Sequence, residues 1–254
     1  MTVDAGAFER DGWTIVRGVV PVREVAAMHE MFTAIVPPEG PQPRTSDGAL
    51  CEITGAARAI PALATIACDP RFGALAAKVL GAERIQLLQD SLLYKPPREG
   101  GSVEWHQDHS YVGFLVPARV VAVRIALVAE DDDNGCMHVI DGSHHWGPIG
   151  ANRALRDPSV VSLSAELTEA QRDQLEHPRS LALEPGDVSI HHCLTVHGSP
   201  MNRSARPRRT IILRMFDAIC RLDTTRLPPG TEVHFPTDPD GGLATAAFPC
   251  VHGD

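Results

Sequence analysis

The chain has 254 residues, 43% of them hydrophobic, and a formal net charge of -9 at pH 7. That length supplies one core for a single domain, and the acidic balance argues against nucleic acid, whose phosphates need concentrated positive charge. No apolar run approaches the roughly 18 residues of a membrane span, no basic-then-apolar leader opens the chain, and six cysteines without paired spacing read as free thiols of a reducing cytoplasm.

In chain order, residues 3 to 35 are predicted as helix, strand, helix. Gly12 stops the first helix, Trp13 to Val16 form a strand, and Pro21 suits the first turn of the second helix. Val25, Met28, Phe32 and Ile35 then recur at helical spacing, as on a helix packed against the back of a sheet. Residues 36 to 50 hold Pro37, Pro38, Pro41 and Pro43 with Gly40 and Gly48, and read as a long loop, either an active-site lid or disordered. Asp69-Pro70 is an N-cap followed by proline at the first helical position, and Gly81 is the stop of that helix. Because these helices precede the strands instead of alternating with them, a doubly wound sheet is excluded.

From Ile85 strands take over. Ile85 to Tyr94 ends at Lys95-Pro96-Pro97, and parity puts Gln89, Ser91, Leu93 and Lys95 on one face. Val120 to Ala129 reads as a strand with Arg124 inside an apolar run, where a charge must be paired or must line a polar cavity. The run Glu130 to Gly135 lacks the register of a calcium loop and reads as a solvated acidic turn built on Asn134-Gly135. Residues 145 to 178 form a polar insertion with a predicted helix from Thr168 to Glu176. The tail after Phe216, broken by Pro228-Pro229-Gly230 and Gly241-Gly242, carries no motif.

The chemistry concentrates in Trp105-His-Gln-Asp-His-Ser-Tyr111. On extended backbone His106 and Asp108 project from one face and reach one point. They form two-thirds of the two-histidine, one-carboxylate facial triad that holds non-haem Fe(II) with open positions. The third ligand should be a distant histidine on a neighbouring strand, and His197 in His191-His-Cys-Leu-Thr-Val-His-Gly-Ser199 is the candidate. His191 and His192 alternate along the preceding strand, so at most one faces the cavity. Arg208 opens the alternating run Arg-Arg-Thr-Ile-Ile-Leu-Arg-Met-Phe, in which Arg208 and Arg209 point to opposite faces.

These features, with Tyr94-Lys95-Pro96-Pro97, Asn134-Gly135-Cys136, Gly142-Ser143-His144, Pro185-Gly186-Asp187 and His197-Gly198-Ser199, resemble the phytanoyl-CoA dioxygenase family of Fe(II)/2-oxoglutarate oxygenases across about residues 5 to 217. The resemblance implies a mainly β fold, a double-stranded β-helix (a cupin-like jelly roll) with flanking α-helices. A helical buttress would span about 1–82, the jelly-roll core about 83–217, and an irregular tail the rest. It further implies that His106, Asp108 and His197 bind Fe(II). 2-Oxoglutarate would chelate the iron through its keto acid and pair its far carboxylate with Arg208, with Ser199, Ser91 and Lys95 on the co-substrate side. O2 is the oxidant, and 2-oxoglutarate leaves as succinate. Gln89, Tyr111 and Arg124 fall on the substrate side. Family members often carry an aromatic residue where Arg124 stands, so this arginine is read as meeting an acidic group of substrate or co-substrate, with an ion pair to an internal carboxylate as the alternative.

The usual outcome in the family is hydroxylation of an unactivated C–H bond. Desaturation, cyclisation and epimerisation are alternatives on the same centre. Halogenating relatives have a small residue in place of the carboxylate ligand, whereas Asp108 is present here. The expected partner is a small molecule, a secondary metabolite or amino-acid-like compound, with no membrane, nucleic-acid or protein partner implied. A non-catalytic binding jelly roll, or a cupin-like metalloenzyme that needs no keto acid, are the readings from other classes.

Overall fold

The computed structural model describes residues 2–37, 51–99, 101–149, 163–227 and 230–253. Most of the predicted proline-rich loop (38–50) and part of the polar insertion (150–162) lie outside the described residues.

The N-terminal third is built as its local signals dictate. Helix α1 (Ala5–Asp11) is capped by the Asp4 side chain and stopped at Gly12 before strand β1 (Trp13–Val16). Helix α2 (Val22–Ile35) buries Val25, Met28 and Phe32, the stripe expected from their spacing. After β2 (Cys51–Thr54) come α3 (Pro61–Ala67) and α4 (Pro70–Leu80). In α4 the Asp69 carboxylate accepts from the Arg71 N–H and proline follows the cap. Gly81 ends the helix in the left-handed conformation, at φ 59°, where a side chain would be strained.

The regular elements that remain are mostly strands: β3 (Ile85–Lys95), β4 (Val103–His106), a one-turn helix α5 (His109–Val112), β5 (Leu115–Val116), β6 (Val120–Ala126) and β7 (His138–Val139). Helix α6 (Glu169–Leu175) follows, opened by a capping box between Thr168 and Gln171. Then come β8 (Arg179–Ser180), β9 (Val188–His192), β10 (His197–Ser199), β11 (Arg208–Asp217), β12 (Arg221–Leu222) and β13 (Cys250–His252).

The strands form a seven-stranded sheet in the order β1-β9-β6-β11-β3-β13, with β2 also on β3, and a four-stranded sheet β4-β10-β7-β8. A small ribbon pairs β12 with β5, and every pairing is antiparallel. This is the expected jelly roll with helices on one side.

The period of two along each strand divides the large sheet into unlike faces. Leu92, Val123, Ile190, Ile211 and Leu213 join Phe8, Phe32 and Phe72 of the helices in the main core. Each such side chain contributes about 1.5–3 kcal/mol by leaving water. The other face carries Gln89, Ser91, Lys95, Arg124, Ser189, His191, Arg208, Thr210 and Arg214, matched by register: Arg208 opposite Lys95, Ile212 opposite Ser91 and Arg124, Arg124 opposite Ser189.

Two local expectations are corrected. Strand β6 ends at Ala126, short of Ala129, because the chain turns there and the backbone of Glu130 pairs with Leu183. Glu130 is not part of a solvated turn either. It is buried, bonded to Arg124 and to the Thr210 hydroxyl, and only Asp131 to Asp133 reach outward.

Candidate metal centre and its cavity

Strands β4 and β10 pair so that His106 stands opposite His197. Asp108 lies just past the end of β4, where the backbone has turned into the helical region (φ -56°, ψ -25°) to open α5. The sequence rule of alternation therefore does not describe this carboxylate. A tight turn, pinned by the His109 N–H on the Cys193 carbonyl, swings it back toward His106. One ligand-type atom from each of His106, Asp108 and His197 lies within 4.8 Å of the other two.

Side-chain orientation fits a metal. His106 Nδ1 sits 2.8 Å from the Glu104 carbonyl, and His197 Nδ1 sits 2.9 Å from the Thr195 carbonyl. A carbonyl only accepts, so each Nδ1 carries the proton and each Nε2 keeps a lone pair, the tautomer a metal-binding histidine needs. Burial, then the neighbouring His106 and His191, push His197 well below the usual histidine range, so it is neutral. Burial alone would raise the Asp108 carboxyl. The charge of Arg214, with His191 and His197, more than offsets this and holds it well below the ordinary value. Neutral imidazole beside ionised carboxylate is the protonation state that a cation selects.

Two residues that the sequence reading did not assign surround Asp108. Arg214 Nη2 lies 3.4 Å from Asp108 Oδ1, and its Nη1 donates to the Ser91 hydroxyl at 3.1 Å. His191 Nε2 lies 3.4 Å from Asp108 Oδ2 and is not aligned for a hydrogen bond. A usable signal for Arg214 was present: it shares parity with Arg208 in the alternating run. Of the adjacent histidines, His191 is the one that faces the cavity. His192 packs beside Phe8 and His144, with its pKa pushed by burial to about 4.

The triad opens into a cavity of about 1040 Å³. At one end is Arg208, fully buried, with Nη1 donating to the Gly135 carbonyl and Nε without a hydrogen-bond partner among the described residues. Burial lowers its pKa to about 10. Arg209 points the other way, toward His29 and over the Tyr94 ring. Ser199, Gln89 and Tyr111 line the cavity. Ser91 and Lys95 do not. Both are wholly buried behind its wall, Ser91 under Arg214 and Lys95 donating to Ser199 Oγ at 2.8 Å and the Pro200 carbonyl at 2.6 Å. Arg124 reaches the cavity wall, where its guanidinium pairs with the internal carboxylate of Glu130 at 3.1 Å and donates to Ser189 Oγ.

A jelly roll that presents two histidines, one carboxylate and a deep arginine in a single cavity defines the class: an iron- and 2-oxoglutarate-dependent dioxygenase. The phytanoyl-CoA dioxygenase (PhyH) family model matches residues 8–210, and the chain belongs to that family. Among curated proteins it is similar to ectoine dioxygenase of Sphingopyxis alaskensis, 26% identical over 82% of this chain and 73% of that one. It is also similar to phytanoyl-CoA dioxygenase domain-containing protein 1 of Bos taurus, 31% identical over 63% of this chain and 55% of the relative. Of solved structures, the 2-oxoglutarate-dependent epimerase SnoN from nogalamycin biosynthesis superposes with a TM-score of 0.76 at 24% identity, over 98% of this chain and 96% of that one. The carbocyclase SnoK of the same biosynthesis gives 0.76 at 20% identity, over 97% and 94%.

Proposed function

We propose that this protein, acting as a single domain, hydroxylates an unactivated C–H bond of a small natural-product-type molecule while 2-oxoglutarate is converted to succinate. The observation that carries the reading is the convergence of the triad and the buried Arg208 on one cavity. His106 and His197 offer Nε2 and Asp108 a carboxylate oxygen to the iron, and Arg214 holds that carboxylate with His191 packed beside it. Arg208 presents a guanidinium fork to the far carboxylate of 2-oxoglutarate, with Ser199, backed by Lys95, beside it. When bound, iron with 2-oxoglutarate and O2 supplies the oxidising power. The chain contributes position and exclusion of bulk water.

The rest of the cavity supports a substrate with an apolar ring face and polar edges. Phe114 packs on Phe235 at 4.6 Å between centroids, and Phe235 stacks with Phe248 at 6.1 Å, all three lining the wall. Glu52, Asp90 and Arg58 line another part of it. The volume is at the upper end for a small-molecule site. Among the described residues, Arg124 and Arg214 are engaged by Glu130 and Asp108, so Arg58 and Arg208 are the cavity arginines left to meet a ligand's anionic groups. All six cysteines are free thiols, in keeping with a reducing cytoplasm.

The test is product mass spectrometry with candidate polycyclic substrates, under labelled O2 and high chloride, with succinate measured in parallel. Gain of one labelled oxygen per succinate supports hydroxylation. Loss of two hydrogens, or an isomer without added oxygen, moves the reaction to desaturation, ring closure or epimerisation on the same residues. A chlorinated product refutes Asp108 as a ligand. Absence of succinate with iron and every substrate tried returns the protein to a binding role.

A further inference from the structure

The turn leading into β7 carries a second group of ligand-type side chains, apart from the triad. We propose that Asp132, Cys136 and His138 form a binding site for a zinc-type divalent ion, on the turn against which Arg208 rests. One ligand atom of each lies within 4.8 Å of the other two. His138 Nε2 is 2.8 Å from Asp132 Oδ1, and Cys136 Sγ is 3.6 Å from the same oxygen. Bond lengths of about 2.0–2.3 Å in a tetrahedron separate ligand atoms by about 3.3–3.8 Å. The sulfur–oxygen spacing already matches, and the histidine–carboxylate spacing must open by roughly half an ångström.

The group is held in place by backbone rather than by chance rotamers. Asp131 and Asn134 exchange side-chain and backbone hydrogen bonds, and the Cys136 N–H donates to the Asp131 carbonyl. Register places Ser180 opposite His138, with its hydroxyl 2.7 Å from Asp132 Oδ1 and 3.1 Å from Cys136 Sγ, a further oxygen at the same point. Asp132 is exposed and His138 half-buried while Cys136 is buried, so an ion arrives from the carboxylate side.

One sulfur, one nitrogen and one oxygen make a borderline donor set that favours zinc over magnesium or calcium. The triad contains no sulfur, so the two sites differ in the metal they select. As the structure stands, His138 Nε2 faces a carboxylate that only accepts, so that nitrogen carries the proton; binding shifts it to Nδ1, turns the Nε2 lone pair to the ion, and releases the Cys136 thiol proton to solvent. Gly135 lies between two of the ligands, and its carbonyl accepts from Arg208. At φ 74°, with an ideal Cβ only 2.5 Å from the Pro200 carbonyl, this position admits only glycine, and the turn has little room to shift.

The experiment is a Co²⁺ titration of the iron-loaded protein with 2-oxoglutarate, without oxygen, followed by near-ultraviolet absorption. A thiolate-to-cobalt band should grow to one equivalent and bleach on adding Zn²⁺. The triad cannot produce it. The Cys68→Ser protein should keep the band and Cys136→Ser should lose it. His138→Ala should weaken Co²⁺ at least about 100-fold, since even outer-shell changes cost about 10–100-fold. Absence of the band at excess Co²⁺, or its survival in Cys136→Ser, overturns the site. Asp132→Ala alters an exposed residue and so tests the site independently of how Cys136→Ser folds; unchanged Co²⁺ affinity there also overturns it.

Discussion

The two faces of β11 obey different rules. Ile211, Leu213 and Met215 meet the helices in an apolar core, whereas Arg208, Thr210 and Arg214 project between the sheets among other polar groups. On the first face any well-packed hydrophobe serves, because burial is roughly proportional to area. On the second each charge must have a named partner. Glu130 answers Arg124, Asp108 answers Arg214, and Arg208 is left with a backbone carbonyl. The inner face is thus short of negative charge where the dianionic co-substrate is proposed to bind.

The largest effect should come from the triad. His197→Ala should abolish iron-dependent turnover with the thermal unfolding midpoint little changed, and His192→Ala, on the other face, should keep iron affinity. Equal Fe(II) affinity of His197→Ala and wild type would break the assignment.

Next is the buried pair. Glu130→Ala strands the Arg124 guanidinium and should cost about 3–5 kcal/mol in denaturant unfolding. Leu213→Ala on the apolar face should cost about 2–5 kcal/mol by leaving a cavity, while the Michaelis constant for 2-oxoglutarate stays at its wild-type value. If that constant moves as far in Leu213→Ala as in an inner-face variant, the two faces are not independent.

Arg208→Ala should raise the apparent Michaelis constant for 2-oxoglutarate about 10–100-fold, the worth of a charge-assisted bond of about 1.5–3 kcal/mol. Arg209→Ala should leave it unchanged, because that side chain reaches His29 and Tyr94 on the helical face. A reversed outcome would shift the register by one.

The last comparison is one of pH and concerns Lys95, whose pKa is lowered by burial and then by Arg208 to about 6. A neutral amine still has two N–H donors for Ser199 and Pro200. Below about pH 6 both folded and unfolded chains hold the proton, and the burial penalty is fully present. Between there and the unfolded value near 10 only the unfolded chain holds it, so stability rises with pH by up to about 1.4 kcal/mol per unit. The stability difference between wild type and Lys95→Met, followed from pH 6 to 9, should show that slope. A flat difference would mean that the amine stays charged inside.

What was legible in the sequence was mostly local. Asp69-Pro70 and Gly81 fix α4 through caps a few residues apart, and alternation in β11 puts Arg208 on the face away from the helices. What escaped depends on register between distant strands. His191 and Arg214 acquire their place only when β9, β6 and β11 align. Glu130, which reads as one more acid in an acidic turn, is drawn inward by Arg124 and Thr210. Even the central motif was reached by a partly wrong geometry, since Asp108 arrives through a turn and not along a strand.

Both triad histidines are tethered to carbonyls of their own chain segments, His106 to Glu104 and His197 to Thr195. Each tether spans two residues, so the local backbone sets it. The grip on the metal is therefore a standing fixture of the backbone, not a shape that the ion has to induce. Fresh Fe(II) is therefore expected to restore activity to iron-depleted protein without a refolding step.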